Sequence, residues 1–310
     1  MIRAIQFSDL PRCLIMGLGE TQNRVYSRAD PGRSTPEWIA LPIDAMRGMS
    51  GSAGSIVTVW IDGARILCMA VTSRMAGPQS WELSRLQVDA GAEDCVAGVL
   101  TAAFASAQKR SATQMSARVL AGDPVGSELS RAGLLPAHAE TLYRGRGSGA
   151  RIDPPLGIRP REGEDEHGIF RLYSACIPAE VRALEGMTLE QWSASRWDGP
   201  GRADEYVLES GDRITGWLRV LALSTATDLS IMVHPESPDQ DAASLTDLGL
   251  ALAPSGSPVV TLIPGYQPAA GRAADRAGLQ AEAEFEVHAR SVRATEKIFQ
   301  EVGAYEVVSS

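Results

Sequence analysis

The sequence repeats one pattern twice, and this repeat limits the possible folds more than any other feature. Arg131-Ala132-Gly133-Leu134 recurs 145 positions later as Arg276-Ala277-Gly278-Leu279. Further upstream, Glu82-Leu83-Ser84 matches Asp228-Leu229-Ser230 at a separation of 146. Because the matches keep the same order and nearly the same spacing, the chain is predicted to contain two copies of one domain plan.

The copies also agree where they begin and where a turn is expected. Each begins with an Ile-Arg pair and has an aspartate six residues after the arginine. The matched residues are Ile2-Arg3 with Asp9 and Ile158-Arg159 with Asp165. Asp62-Gly63 and Ser210-Gly211 each lie between two strand-like runs, and a glycine in that position predicts a β-hairpin.

A stretch rich in glycine and proline lies between the copies and predicts a linker at residues 145–157. Gly145, Gly147 and Gly149 alternate with other residues, which is typical of a flexible chain, and Pro154-Pro155 then stiffens it. The glycines precede no predicted helix, so they do not indicate a phosphate-binding loop. We therefore expect an N-terminal domain at residues 1–144 and a C-terminal domain at residues 158–310.

Periodicity predicts strands and helices in the same order in both copies: strand, two helices, a meander of three strands, helix, strand, helix and strand. In the second copy the predicted strands begin at Ile158, Glu205, Ile214, Leu229, Val259 and Glu282, and the predicted helices at Glu166, Thr188, Ala242 and Ala269. In the first copy, Cys95 to Lys109 is the predicted central helix. This order predicts the α/β fold class, with a mixed sheet covered by helices on both faces.

The charge balance argues against nucleic acid as a partner. Lysine and arginine number 29 against 38 aspartate and glutamate residues, a formal net charge of −9. Nucleic-acid binders use a basic face to displace counterions from phosphates. The sequence contains no basic run long enough to predict such a face, so no nucleic-acid partner is expected.

The cysteines, histidines and apolar runs predict a cytoplasmic protein that holds no metal and enters no membrane. The four cysteines form no Cys-x-x-Cys pair, which is typical of a reducing compartment. The four histidines lie far apart, so no zinc site is predicted. The N-terminus lacks a signal-peptide pattern, and the most apolar long stretch, Cys95 to Ala107, is too short to span a bilayer.

The predicted element order resembles that of the GCN5-related N-acetyltransferase (GNAT) superfamily of acyl-CoA N-acyltransferases. The motifs that carry the resemblance are Leu86-Gln87-Val88 and Ile231-Met232-Val233 before the central helices, together with the two Arg-Ala-Gly-Leu turns. The tandem arrangement is similar to that of mycothiol synthase, in which one half is catalytically silent. The resemblance implies acetyl-CoA as cofactor and an amine as substrate, with Val88, Gly98 and Val233 at cofactor-binding positions.

The loop that holds the pyrophosphate of acetyl-CoA in that family is altered in both copies. The family pattern is Arg/Gln-x-x-Gly-x-Gly/Ala, because small residues let backbone N–H groups converge on phosphate at a helix N-terminus. In the first copy the basic position falls on Glu93 and the first glycine position on Asp94, and only Gly98 remains of the glycines. In the second copy the stretch is Pro238-Asp239-Gln240-Asp241-Ala242-Ala243. Each carboxylate would oppose a pyrophosphate by roughly 1–4 kcal/mol at intermediate dielectric.

Of the family's two catalytic positions, the general acid is missing from both copies, whereas an acidic residue is present at the position of the general base. The tyrosine that acts as general acid is replaced by Leu129 and Ala274, and neither residue can donate a proton. Glu82 and Asp228, in contrast, occupy the place of the carboxylate that deprotonates the amine substrate. The alternative is that a strand end near solvent tolerates any acidic residue, in which case Glu82 and Asp228 have no catalytic role.

Tryptophans suggest a second kind of site. Trp192, Trp197 and Trp217 could line a ligand pocket between the early helices and the sheet of the second copy, or could fill the core there. In the first copy, Pro31 to Gly54 is expected to be a loop that carries Trp38 and is either functional or a cover over the sheet.

A dipeptide of the first copy allows two interpretations in the same way. Asp123-Pro124 lies near a family position for polar contact with the cofactor's pantetheine arm. The same pair is fully explained as a helix N-cap followed by proline in the first turn. The second interpretation is preferred because it needs no ligand.

Two hypotheses follow from these residues. In the first, the chain is a degenerate acetyltransferase that binds no cofactor and acts by binding a small ligand or a partner protein. In the second, it is an active N-acyltransferase that holds acetyl-CoA through an altered loop and uses Glu82 or Asp228 as base.

Overall fold

The computed structural model describes residues 1–27, 36–50, 54–76, 79–150, 152–195, 203–223 and 225–291. Within this part, the first half of the chain forms β1 (Ile2–Ala4), α1 (Leu10–Leu18), β2 (Thr21–Asn23), α2 (Glu37–Ser50), β3 (Ser55–Asp62), β4 (Arg65–Ala76), β5 (Ser80–Asp89), α3 (Val96–Gln108), β6 (Gln114–Leu120), α4 (Val125–Arg131) and β7 (Leu135–Arg146).

The second half repeats this order. It forms β8 (Ile158–Pro160), α5 (Glu166–Cys176), α6 (Ala179–Glu185), α7 (Leu189–Ser195), β9 (Ala203–Ser210), β10 (Arg213–Ala222), β11 (Thr227–Val233), α8 (Asp239–Leu252), β12 (Pro258–Pro264), α9 (Pro268–Arg276) and β13 (Gln280–Ser291). The predicted fold class is therefore confirmed. In the described part of the chain, no helix is both long and apolar enough to cross a bilayer.

The region expected to be a loop from Pro31 to Gly54 is largely helical, so this expectation was wrong. Residues 37–50 form α2, while residues 31–35 and 51–53 lie outside the described part. Pro42 and Gly48 inside the helix conceal it from sequence analysis, because both residues disfavour helix interiors. The helix forms because Ala40, Leu41 and Ala45 recur at helical spacing and bury one face against the sheet.

The chain folds into two compact units, and each contains the closing strand of the other half of the sequence. Unit 1 comprises residues 1–137, 183–186 and 286–291 of the described chain, with strand order β1-β3-β4-β5-β6-β13. Unit 2 comprises residues 138–182 and 187–285, with strand order β7-β12-β11-β10-β9-β8. The repeat therefore does not divide into two continuous segments of chain.

The segment expected to be a flexible linker begins inside a strand. Gly145 pairs with Val259 and Arg146 with Pro258 in the antiparallel contact of β7 with β12. The amide of Gly147 then donates to the Ser257 carbonyl at 2.9 Å. The alternating glycines are therefore ordered backbone in unit 2, and this expectation was wrong for their part of the linker.

The repeated Arg-Ala-Gly-Leu motif is a helix C-cap in both units. Gly133 after α4 and Gly278 after α9 have φ values of 90° and 80°, a left-handed conformation that glycine adopts without strain. The next residue, Leu134 or Leu279, is buried and donates its amide to a carbonyl of the last helical turn. Helix termination by the glycine and packing of the leucine thus account for the presence of the motif in both copies.

The repeated Ile-Arg and Asp residues form equivalent ion pairs. Arg3 binds both carboxylate oxygens of Asp9 at 2.6 and 2.8 Å, and Arg159 binds those of Asp165 at 2.7 and 2.7 Å. Each aspartate also accepts the backbone amide three residues before it, which caps the following helical turn. Hydrogen bonds from the arginines lower the pKa of both Asp9 and Asp165.

These two pairs predict acid sensitivity. A folded-state pKa below the unfolded value means that the stabilisation is complete above the unfolded pKa, near 3.8, and is lost as pH falls through the folded value. We expect Asp9→Asn to lower the free energy of unfolding by about 1–3 kcal/mol at neutral pH, and by less as pH approaches about 2. Urea titrations at several pH values measure this, with the exposed Asp153→Asn as control; a loss that stays constant with pH would contradict the prediction.

Candidate cofactor clefts

In unit 1 the two central parallel strands separate halfway along their length. Residues 80–83 of β5 pair with residues 114–117 of β6, and the pairing stops there. Beyond this point the backbone edges of the two strands face an opening. Val88, which the resemblance puts at a cofactor-binding position, lies on β5 beyond this point.

The chain itself fills this opening with residues 21–27, which we call the inserted segment. Its strand β2 runs antiparallel to β5, with Thr21 opposite Asp89 and Asn23 opposite Gln87. The amide of Arg24 then donates to the Leu86 carbonyl at 2.9 Å. The inserted segment thus uses backbone groups of β5 that a ligand would otherwise contact.

The inserted segment also reaches the opposite strand and the core. The amide of Tyr26 donates to the carbonyl of Arg118 in β6 at 2.8 Å, so the segment bridges both edges of the opening. The side chain of Val25 is completely buried in the core cluster of unit 1 that contains Leu86 and Val119. The inserted segment is therefore an integral part of the fold of unit 1.

An ion pair holds the inserted segment to the start of α4. The Arg24 guanidinium binds both carboxylate oxygens of Asp123, with Nη2 at 2.8 Å and Nε at 3.1 Å. The hydrogen bond that Arg24 donates to Asp123, together with the charges of Asp123 and Glu93, raises the pKa of Arg24. Asp123 also accepts the amide of Val125, the first residue of α4, at 2.8 Å, while Pro124 is the N-cap residue of that helix.

Glu82, the predicted base of the first copy, is buried and charge-compensated. One carboxylate oxygen accepts the hydroxyl of Ser27 at 2.8 Å, and the other lies 3.3 Å from Nη1 of Arg118. The side chains of Glu82 and Arg118 are each 6% exposed. Glu82 thus anchors the end of the inserted segment through Ser27 and lies against Arg118 of β6.

The predicted cofactor residues of the first copy have neighbours from the chain itself. Val88 is paired on both sides, with Cys68 of β4 and Gln22 of β2. Gly98 lies in α3, and a Cβ there would be 3.0 Å from the Ile2 side chain and 3.4 Å from Trp60. Close packing of α3 against the sheet accounts for this glycine.

In unit 2 the central strands also separate, but a side chain occupies the cleft edge. Residues 227–229 of β11 pair with residues 259–261 of β12, and the pairing of these two described strands stops there. The amide of Val233 donates to Oε1 of Gln267 at 3.1 Å, and its carbonyl accepts the thiol of Cys176 at 3.1 Å. Burial raises the pKa of Cys176 to about 12, so the thiol keeps the proton that it donates.

Asp228, the predicted base of the second copy, lies in β11 at the register position of Glu82 in β5. It is paired with Leu221 of β10 on one side and Val260 of β12 on the other, and its side chain is half-buried. The structure therefore places both predicted bases at the point where the central strands begin to separate.

The start of α8 holds a carboxylate where the family holds a pyrophosphate. Arg272 of α9 binds both carboxylate oxygens of Asp239, at 2.6 and 2.9 Å, and Arg276 donates to the Asp239 carbonyl at 3.3 Å. The hydrogen bond from Arg272 lowers the pKa of Asp239. The Asp239 carboxylate, an anion that belongs to the chain itself, thus lies at the positive end of α8 beside Arg272 and Arg276.

The predicted tryptophan pocket is a packed aromatic cluster where the structure describes it. Trp192 and Trp217 are both buried, with ring centroids 6.3 Å apart, and Phe170 and Tyr173 pack against Trp192. Nε1 of Trp217 donates to Glu205 at 3.0 Å. Trp197 lies outside the described residues. These contacts favour core packing, the alternative to a ligand pocket.

Sequence analysis missed the groups that fill the opening in unit 1 and occupy the cleft edge in unit 2. β2 has three residues, and Gln267 is an isolated polar residue before α9, so neither gives a periodic signal. Arg118 alone carried a signal, since a charged residue inside an apolar strand predicts a buried partner. No group of three or more potential metal ligands occurs among the residues that the structure describes.

The sequence matches no protein-family model and no curated protein. The fold matches solved structures. A GCN5-related N-acetyltransferase from Sphaerobacter thermophilus aligns with a TM-score of 0.54 over 94% of this chain and 95% of its own, at 16% identity. A protein from Pyrococcus horikoshii whose name assigns it to the acetyltransferases aligns with a TM-score of 0.51 over 94% of this chain and 89% of its own, at 9% identity. The chain therefore has the GNAT fold that its two-copy sequence plan predicted.

Proposed function

We propose that this chain is a binding protein built on a degenerate acetyltransferase fold, and that unit 1 does not take up acetyl-CoA. The observation that carries the proposal is the inserted segment, which occupies the opening between β5 and β6. Fold alone does not establish catalysis, because catalysis depends on the groups at the site. At this site the groups that a cofactor would contact are bound to the chain itself.

Admitting acetyl-CoA to unit 1 would require a large local rearrangement. The β2–β5 pairing would have to break, Val25 would have to leave the core, and the ion pair of Arg24 with Asp123 would have to separate. Burying Val25 alone is worth about 1.5–3 kcal/mol, before the backbone hydrogen bonds are counted. These losses would be subtracted from any binding free energy of the cofactor.

Calorimetric titration of the full chain with acetyl-CoA and with CoA at low salt tests the proposal. We expect no binding up to about 1 mM, where association is worth only about 4 kcal/mol. Low salt is needed because screening would weaken an exposed anion site. Micromolar binding would overturn the proposal.

A second variant pair tests the role of the inserted segment. Val25→Asp places a charge in the core, so we expect the segment to detach and hydrogen exchange at the Arg24 and Tyr26 amides to rise at least about 100-fold. Gln22→Asp, at an exposed position of β2, is the matched control. Unchanged exchange in Val25→Asp would mean that the segment is held independently of its core contact.

An active N-acyltransferase centred on unit 2 is the second candidate function, and the arginines near α8 favour it. If Asp239 released Arg272, the two arginines of α9 and the start of α8 could receive a pyrophosphate. In that case Asp239→Asn would tighten binding of acetyl-CoA. Asp228→Asn would then lower turnover of an amine substrate by about 10²–10⁴-fold, the usual contribution of a general base.

A further inference from the structure

One outer helix of unit 1 exposes an apolar side to solvent. Pro11, Leu14, Ile15 and Leu18 recur at helical spacing on α1 and are all exposed, whereas Cys13 and Met16 of the same helix are buried. A surface helix normally presents charged and polar residues on the side opposite its core contact. The outward side of α1 carries no ionisable residue at these positions.

Neighbouring residues extend this side into one patch. α1 and α2 touch closely, since a Cβ on Gly17 would lie 2.6 Å from the Trp38 backbone. We use the term apolar face for six exposed side chains on and beside these helices: Phe7, Leu14, Ile15, Leu18, Trp38 and Met46. Their exposed fractions range from 44% to 75%.

The area of the apolar face reaches the upper end of what monomers usually leave in water. A large aromatic side chain contributes about 150–250 Å², so six large side chains at these exposures present roughly 600 Å² or more. The largest apolar patch of a typical monomer is about 300–600 Å². One side of a standard protein interface buries about 800 Å², so the face with a polar rim is large enough for a stable contact.

The lack of charge on the apolar face favours a second copy of the chain as its binding partner. In a two-fold contact the same patch meets itself, so any charge within it would face a like charge. The apolar face contains no ionisable side chain, although the chain carries a formal net charge of −9. Self-association through this face therefore avoids the repulsion that most other surfaces of two copies would meet.

We propose that the chain forms a homodimer through the apolar face of α1 and α2. The rim supplies polar groups, with Gln6, Ser8 and Glu20 exposed beside α1 and Arg47 exposed on α2. The proposal goes beyond the proposed function and does not depend on it, because the apolar face and the clefts are formed by different side chains.

Sedimentation velocity of the full chain up to about 100 µM tests the dimer. We expect the wild type to sediment as a dimer and the double variant Ile15→Asp/Leu18→Asp as a monomer, with a dissociation constant raised at least about 100-fold. Both positions are exposed, so the variant should keep the wild-type circular dichroism spectrum. Leu156→Asp, at a fully exposed leucine of unit 2, is the matched control and should remain dimeric.

Two results would overturn the dimer. One is a wild type that stays monomeric at about 100 µM, whether or not it binds neutral phosphatidylcholine vesicles through the same leucines. The other is a double variant that remains dimeric, since the dimer would then use another surface. Either result leaves the titration with acetyl-CoA unaffected, so failure of the dimer and failure of the proposed function can be distinguished.

Discussion

Arg118→Met is expected to lower the free energy of unfolding by about 3–5 kcal/mol, because it removes the arginine that lies 3.3 Å from the buried carboxylate of Glu82. The substitution also removes the contact of Arg118 with the Tyr26 carbonyl at 3.4 Å, so the inserted segment should loosen with it. Urea unfolding followed by circular dichroism measures the loss. Hydrogen exchange at Tyr26 shows whether the loss is located at the inserted segment.

A double substitution separates charge from packing in this prediction. Arg118→Met/Glu82→Gln removes both charges while keeping similar volume, so we expect it to recover at least about half of the loss. If the single and double variants are equally unstable, the cost comes from packing. Under the active-enzyme hypothesis Glu82 would be kept for catalysis, whereas the structure gives it a stabilising role in holding Ser27 and Arg118.

Gly147→Ala is expected to destabilise unit 2 by about 3 kcal/mol, at the upper end of what overpacking costs. A Cβ at this position would lie 2.4 Å from the Pro254 carbonyl oxygen and 2.7 Å from that of Ala253. Backbone atoms cannot move aside as a flexible side chain can, so strand β7 or the neighbouring turn must shift. Thermal melting of the purified variant measures the effect.

Gly163→Ala is the control for this substitution. A Cβ on Gly163 meets no atom within 4 Å, and Gly163 does not have a positive φ. We expect a change within about 0.5 kcal/mol for this variant. A Gly147→Ala variant that is equally harmless would show that residues 145–149 behave as the flexible linker that their composition predicts.

The elements that sequence analysis predicted are those with a strong local signal. Gly63 and Gly211 have positive φ at the predicted hairpins, and Thr188 exchanges side-chain hydrogen bonds with Gln191 as the capping motif predicts. These motifs depend on residues within a few positions of each other. Local chemistry therefore suffices to predict them.

The elements that were missed depend on distant parts of the chain. β2 is only three residues long and forms because Gln87 and Val88, more than sixty residues away, offer it a backbone edge. Glycines at 145, 147 and 149 are equally compatible with flexibility and with close packing. Only the neighbouring turn at Ala253 and Pro254 decides between these two outcomes.

The repeat predicted that Glu82 and Asp228 occupy matching places at the start of equivalent strands, and both lie where the central strands separate. Their catalytic role stays a prediction. Whether a cleft is open depends on which group occupies it, and the occupants come from an unpredicted strand in unit 1 and from Gln267 in unit 2. The acidic helix starts were visible in the sequence, whereas the ion pair that Arg272 makes with Asp239 was not.

The exchange of closing strands has a consequence for synthesis of the chain. Unit 1 contains residues 286–291, so a ribosome must translate nearly the whole chain before this unit is complete. Until then the edge of β6 lacks the strand that follows it in the finished sheet, and an uncovered edge invites pairing with other chains. The two halves can therefore be neither expressed separately nor reordered without leaving each sheet one strand short.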